Sequence, residues 1–256
     1  MIRAQQLRKA LHSGTAVIGS WLQLACPDVA EIMARSGYAW LAVDMEHGSF
    51  GRAELANMFR AIALGGALPM ARLAGTGREQ CKAALEAGAQ GLIFPMIECR
   101  EQLDAAIAEA LYPQAGGMRG VGYCRANGYG QNFAAGVQQA GEIVLVAQIE
   151  HQKALAQIDA LVSHPRLDAI MVGPYDLSAS LGKQGEKTGR FDDPEFVAAM
   201  QCIAQACARH AMPMGAHIVQ PQPQQLQACI AQGYTFLAYG IDSVFLWHNA
   251  ACPTVD

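Results

Sequence analysis

The feature that most limits the fold is an alternation, repeated along the chain, of a short apolar run and a stretch with helical periodicity. The apolar runs fall at residues 16–22, 40–44, 68–72, 91–95, 143–150, 169–172, 214–218 and 235–239, which makes eight candidate strands. Between them Val29, Ile32 and Met33 recur at helical spacing, and Thr76 and Glu79 have the spacing of a capping box. Asp193-Pro194 offers an N-cap followed by a first-turn proline. Gly37, Gly88 and Gly233 each separate a helical stretch from the next apolar run, where a residue without Cβ ends a helix at no steric cost. Runs that are apolar on both faces, such as residues 143–147, suit a parallel sheet covered by helices. The pattern predicts an α/β protein, a (β/α)8 TIM barrel forming a single domain over residues 1–256, with a six-strand doubly wound sheet as the competing arrangement.

Composition narrows the function. Apolar residues make up 52% of the chain, enough for a sizeable core, and 18 Lys plus Arg against 22 Asp plus Glu leave a net charge of -4. That balance argues against a nucleic-acid footprint or a polybasic membrane anchor. No run approaches the ~20 uncharged apolar residues of a membrane span, and no apolar segment follows the charged first nine residues, so the expectation is a cytoplasmic protein acting on small molecules. Eight cysteines lie scattered without a C-x-x-C pair and read as reduced thiols. Lys9, Lys82, Lys153, Lys183 and Lys187 fall in helical or polar stretches, which disfavours imine chemistry, and neither a G-x-S-x-G elbow nor a phosphate-binding glycine fingerprint occurs. Residues 114–130, with Arg119 and Arg125, and residues 181–193 form long polar loops that read as lids, subunit contacts or plain solvent-exposed excursions.

In a barrel of this kind the chemistry sits at the carboxyl ends of the strands. There the sequence offers Asp44, Glu46 and His47 after the second strand, Arg72 on the third, Gln148 and Glu150 on the fifth, Gly173, Pro174, Tyr175 and Asp176 after the sixth, and His217 on the seventh. Glu150 and Asp176 could share a hard divalent cation that keeps several waters, or stand as a solvated pair. His47 is a proton carrier that Asp44 and Glu46 could orient, or a hydrogen-bonded structural residue. Arg72, a permanent cation on an apolar strand, wants an anionic partner, either a ligand or Asp44 or Glu46. The turn at Gly173-Pro174 would bring backbone N–H groups to a ligand anion.

Taken in order, these motifs resemble the HpcH/HpaI family of metal-dependent (class II) pyruvate aldolases. The resemblance is carried by Gly19-Ser20-Trp21-Leu22, Asp44-Met45-Glu46-His47-Gly48, Leu85-Glu86-Ala87-Gly88-Ala89-Gln90, Pro95-Met96, Tyr112-Pro113 with Arg119-Gly120-Val121-Gly122, Gln148-Ile149-Glu150, and the run from Gly173-Pro174-Tyr175-Asp176 to Gly182. It implies a carbon-carbon lyase that cleaves a 4-hydroxy-2-keto acid to pyruvate and an aldehyde through an enolate. A divalent metal ion (Mg2+, Mn2+ or Co2+) would be held by Glu150 and Asp176. It also implies that Arg72 lies against the enolate oxygen, that Gln148 and the backbone after Gly173 hold the carboxylate, with Pro174, Tyr175 and Trp21 beside the substrate, and that His47 moves protons. Homo-hexamers built as trimers of dimers, with the C-terminal helix exchanged, belong to the same expectation.

Two positions depart from the family pattern. The carboxylate that partners the histidine there is Glu86 in this chain, one methylene longer than aspartate, and His217 stands where an apolar residue is expected near the aldehyde. With Arg119 and Arg125, His217 suggests a hydroxylated or acidic acceptor, hence a 2-keto-3-deoxy sugar acid or a hydroxy-oxo-diacid as substrate. The alternatives are related enolate chemistry on the same barrel, citrate-synthase-like or acyl-CoA lyase, and a non-catalytic keto-acid-binding barrel.

Overall fold

The computed structural model describes residues 3–252. Eight parallel strands close in sequence order into one barrel: β1 (Val17–Leu22), β2 (Trp40–Asp44), β3 (Leu68–Arg72), β4 (Gly91–Phe94), β5 (Val144–Ile149), β6 (Ala169–Val172), β7 (Met214–Ile218) and β8 (Phe236–Ile241). β8 pairs back onto β1, so the barrel arrangement holds and the open six-strand sheet does not. The helices are α1 (Ala4–His12), α2 (Pro27–Arg35), α3 (Arg52–Gly65), α4 (Arg78–Ala87), α5 (Arg100–Ala110), α6 (Phe133–Gln139), α7 (Ile158–Val162), α8 (Pro174–Leu181), α9 (Pro194–His210), α10 (Pro223–Ala231) and α11 (Asp242–Asn249).

Local chemistry explains most of the boundaries. Asp193 caps α9 by accepting from the Glu195 N–H, with Pro194 in the first turn. Gly88 closes α4 with φ +114°, a conformation that strains any residue with a Cβ. The capping box expected at Thr76 and Glu79 does not form: Gly77 is the N-cap of α4 and no side chain bonds there. The cap comes one residue later because the chain enters the helix through Gly77 in an extended conformation.

The two-residue period of the strands divides the core in two. One face packs against the helices: Leu41, Val43, Ala71, Leu92, Leu145, Ala147 and Ile170 join Phe59, Ile62, Leu103 and Ile203. The other fills the barrel: Trp21, Trp40, Met70, Ile93, Val144, Val146, Met171 and Phe236, sealed from below by Leu7 and Leu11 of α1. Trp40 stacks on Phe236 with ring centroids 4.4 Å apart and interplanar angle 9°. A Cβ at Gly19 would lie 2.0 Å from the Trp40 ring, so the small residue on β1 makes room for the large one on β2. At the amino end, Arg8 of α1 donates from Nε to Asp168 at 2.7 Å and pairs with Glu142 at 3.0 Å, which fixes the plug.

Candidate active site

Alternation also builds the rim. Positions that face inward lower in the barrel, Trp40 on β2, Met70 on β3, Val146 on β5 and Met171 on β6, are followed two residues later by Ala42, Arg72, Gln148 and Gly173; Asp44 and Glu150 come two further on. Apolar side chains therefore fill the barrel until its carboxyl end, where the same face turns polar. There Trp21, Gln23, His47, Arg72, Gln148, Gly173, Pro174, Tyr175, Asp176 and His217 line one cavity of about 310 Å³.

Arg72 and Asp44 form its fixed pair. The guanidinium gives Nε to Oδ1 at 2.8 Å and Nη2 to Oδ2 at 2.6 Å, a two-point fork, with Cζ 4.6 Å over the Trp21 ring. Asp44 is fully buried and also accepts the backbone N–H groups of Glu46 and His47, each at 3.2 Å. Burial pushes its carboxyl up, but Arg72 and the Gln23 amide outweigh that and hold it below the usual range. By receiving those two N–H groups Asp44 sets the turn that carries His47, whose ring is exposed with Nε2 4.0 Å from Glu46 Oε2.

Glu150 is the second anchor. It is 1% exposed, accepts the Met96 N–H at 2.7 Å on Oε1 and the Gln148 amide on Oε2. Burial raises its carboxyl to about 7, and the neighbouring carboxylates Glu46 and Asp176 add to the rise. A Cβ at Gly173 would stand 2.2 Å from Glu150 Oε2, so the glycine at the end of β6 is a condition for the position of Glu150. Asp176 lies in the first turn of α8, exposed at the mouth. Gln148 Oε1 is buried without a hydrogen-bond donor, and Glu46 Oε2, also without a hydrogen bond, lies 3.4 Å from Arg72 Nε as an ion pair. Among the described residues no three His, Cys, Asp or Glu side chains form a ready metal cage. The carboxylates at Glu150 and Asp176, repelling each other beside the unpartnered Gln148 Oε1, still match what a hard cation takes when it completes its shell with water and substrate oxygens.

His217 is pushed down to about 4, chiefly by burial, and so is neutral at pH 7. Its ring meets the edge of Trp21 at 5.6 Å and Nε2 lies 3.4 Å from the Gly240 carbonyl. With Nε2–H directed at that carbonyl, Nδ1 is left as an acceptor.

Two expected members of the site are not brought to it within this chain. Glu86 lies in the last turn of α4, 3.9 Å from Lys82. A helix that runs back down the barrel ends beside the amino ends of the strands, so Glu86 is at the opposite end from His47. Arg119 is buried over the Tyr112 ring at 4.4 Å, and it lines with Arg125 a separate cavity of about 530 Å³ beside Gln90 and Ile143, at the feet of β4 and β5. The loop 114–130 is thus anchored at the base, with Arg125 Nη1 donating to the Ala87 carbonyl at 3.1 Å. The loop 181–193 does reach the rim, through Phe191 against Tyr175 with centroids 5.1 Å apart. The residue that the sequence reading passed over is Gln23. Its signal was the inward series Gly19, Trp21, Gln23, continued one step past the end of β1.

A closed barrel whose carboxyl-end rim gathers carboxylates, a guanidinium and an imidazole around one cavity has the layout of an enzyme site. The chain belongs to the HpcH/HpaI aldolase/citrate lyase family, whose model matches residues 17–249. It is 34% identical to the hydroxypyruvate/pyruvate aldolase of Sagittula stellata over 94% of this chain and 93% of that protein. Identity is also 34% with a 2-keto-3-deoxy-L-rhamnonate aldolase of Salmonella gallinarum, covering 93% of this chain and 87% of that one. An HpcH/HpaI aldolase/citrate lyase family protein from Burkholderia cenocepacia superposes with a TM-score of 0.88 at 27% identity, over 96% of both chains.

Proposed function

We propose that this enzyme cleaves, and in reverse forms, a 4-hydroxy-2-keto acid of the sugar-acid type, giving pyruvate and a hydroxylated aldehyde. The observation that carries the reading is the meeting of Arg72, His47, Gln148 and Asp176 around one cavity, with Asp44 buried behind Arg72 and Glu150 behind Gln148. Glu150 and Asp176 would hold a divalent cation such as Mg2+, Mn2+ or Co2+, which when bound supplies a Lewis acid for the keto and carboxylate oxygens of the substrate. Arg72, its angle set by Asp44, stabilises the charge that develops on the C2 oxygen as the bond between C3 and C4 breaks. Gln148 and the N–H groups beyond Gly173 orient the carboxylate, with Pro174 and Tyr175 shaping that wall and Trp21 lying under the guanidinium. His47 accepts the proton of the C4 hydroxyl as the aldehyde leaves and returns a proton to C3 of the enolate, which gives the methyl group of pyruvate and restores the free imidazole.

The neutral His217 favours a hydroxyl on the aldehyde over an anion, because Nδ1 accepts and carries no charge. This narrows the acceptor toward the hydroxy-aldehydes of sugar acids and away from the acidic ones. The Salmonella relative, a 2-keto-3-deoxy-L-rhamnonate aldolase by name, points to the same class.

The enzyme works, in this reading, as a cytoplasmic homo-hexamer, a trimer of dimers in which the first turn of α11 stays on its own barrel through Asp242 and Ser243 and the rest of α11 meets the neighbour. Leu246 and Trp247 on α11 are 58% and 70% exposed, an apolar face in want of cover. Only in such an assembly could the base of one barrel present Glu86 and Arg119 to the rim of another. No helix among the described residues is long and apolar enough to cross a membrane.

The deciding experiment is pyruvate release from a panel of 4-hydroxy-2-keto acids, coupled to lactate dehydrogenase, before and after EDTA and with metal add-back. Activity lost on chelation and restored by Mg2+, Mn2+ or Co2+ is the expected result. Turnover that survives complete chelation, or none on any member of the panel, overturns the reading. Light scattering gives the assembly size independently.

A further inference from the structure

We propose that Gln23 is a positioning residue for this site: it fixes the Asp44 carboxylate, and through it the Arg72 guanidinium, to the start of α11. The proposal rests on the aldolase reading given above. Gln23 follows β1 and is held at three points. Its backbone N–H donates to Asp242 Oδ1 at 2.9 Å, and the next N–H, of Leu24, donates to Asp242 Oδ2 at 2.9 Å. Its side-chain Nε2 donates to Asp44 Oδ2 at 3.0 Å, while Oε1 accepts the Ser243 hydroxyl at 3.2 Å. An ionised carboxylate only accepts, so the NH2 end must face Asp44 and the amide has one orientation.

The distribution of donors on Asp44 makes Gln23 matter. Oδ1 receives Arg72 Nε and the backbone N–H groups of Glu46 and His47, whereas Oδ2 receives only Arg72 Nη2 and Gln23. Without Gln23, Oδ2 keeps Arg72 Nη2 as its one donor, and the guanidinium is left between Asp44 and Glu46, whose Oε2 lies 3.4 Å from its Nε. Arg72 would then leave the angle at which it stands over Trp21. Asp242, 2% exposed, opens α11 and Ser243 follows it, so a shift of α11 reaches Arg72 through Ser243, Gln23 and Asp44. The charged and titratable groups that face Asp44 are Arg72, Glu46, His217 and Asp242.

The test uses the full-length protein loaded with Mg2+ and compares the unsubstituted enzyme with Gln23→Leu and Ser243→Ala. Two rates are read: exchange of the pyruvate methyl protons into D2O by NMR without aldehyde, and keto-acid cleavage across pH. Gln23→Leu should lower both roughly tenfold, with KM for the keto acid nearly unchanged, as expected for loss of one hydrogen bond to a charged group. The acid limb of kcat should move to higher pH, because the ionised form of Asp44 has lost a donor. Ser243→Ala, which keeps the fold near the surface, should move both rates about twofold to threefold in the same direction. Wild-type rates and pH profile in both variants overturn the inference alone. A loss in cleavage with exchange unchanged also overturns it, since Gln23 would then touch the aldehyde. Absence of both reactions in the unsubstituted protein overturns the aldolase reading and the inference with it.

Discussion

Arg72 and Asp44 are direct partners across adjacent strands: β2 and β3 pair in register at these two residues, and both atoms of the carboxylate are taken by one edge of the guanidinium. The register sets the two side chains opposite each other, and Gln23 on Asp44 Oδ2 and Glu46 Oε2, 3.4 Å from Arg72 Nε, complete the alignment. It leaves Arg72 rigid, charged and 4.6 Å above Trp21 at the cavity wall.

Arg72→Lys keeps the charge and loses the fork. An ammonium cannot bridge both oxygens of Asp44 or keep a planar edge for an enolate oxygen. We expect kcat for pyruvate release to fall roughly a hundredfold with thermal stability little changed, in line with the loss of one oxyanion donor. Steady-state kinetics with a melting curve of the variant check this, and kcat within threefold of wild type would remove Arg72 from the reaction.

Gly173→Ala places a methyl group where Glu150 Oε2 now lies, 2.2 Å from the ideal Cβ. Glu150 is buried and held by the Met96 N–H, so it has little room to give. Loss of nearly all pyruvate release is expected, together with weaker Mn2+ binding by isothermal titration. Retained activity would show that the strand end adjusts and that Glu150 is not fixed by contact.

The raised carboxyl of Glu150 has a stability consequence with a definite sign. Its folded value, about 7, lies above the ordinary 4.5, so its contribution is present below pH 4.5 and lost as pH rises through 7. Between those limits the metal-free protein should lose up to ~3 kcal/mol relative to Glu150→Gln, at ~1.4 kcal/mol per pH unit. Urea midpoints in EDTA at pH 5 and pH 8 measure it, and Mg2+ at pH 8 should restore the wild type but not the variant. A pH-independent difference between the two proteins would contradict the burial argument.

His217 acts in the opposite direction. Its folded value, about 4, lies below the ordinary 6.5, so protonation favours the unfolded chain and stability falls as pH drops from 6.5 toward 4. Relative to His217→Leu, the wild type should lose about 1–2 kcal/mol between pH 7 and pH 5, allowing for the opening of the ring onto the cavity. The same variant should shift preference from glyceraldehyde toward propanal in the synthetic direction with pyruvate. An unchanged ratio of the two aldehydes would take His217 out of acceptor recognition.

Much of this molecule is legible in its sequence because the information is local. The strand runs match the observed strands to within a residue or two at their ends, and β2, β3, β6 and β7 coincide with them. Apolar period, glycine punctuation and an Asp-Pro cap act over a few residues and do not depend on what lies across the barrel. The rim residues Asp44, Arg72, Gln148, Glu150 and His217 were readable for the same reason, with Asp176 in the turn just beyond β6: they stand at or next to strand ends, and parallel strands in a barrel end together.

Which residues meet was decided by closure of the barrel and by the direction of the helices. Glu86 and Arg119 come from motifs as recognisable as the others, yet α4 and the loop after α5 carry them to the base. Gln23 lay outside every recognised motif and became a partner of Asp44 because α11 returns beside β1 and supplies Asp242 and Ser243. The sequence by itself set the kind of fold and the chemistry on each strand end, through patterns that repeat within a few residues. Only the tertiary structure settled the fork at Asp44, the burial that raises Glu150 and lowers His217, and the exclusion of Glu86 from this cavity, because desolvation and contact join residues far apart in the chain, from Asp44 with Arg72 to Gln23 with Asp242.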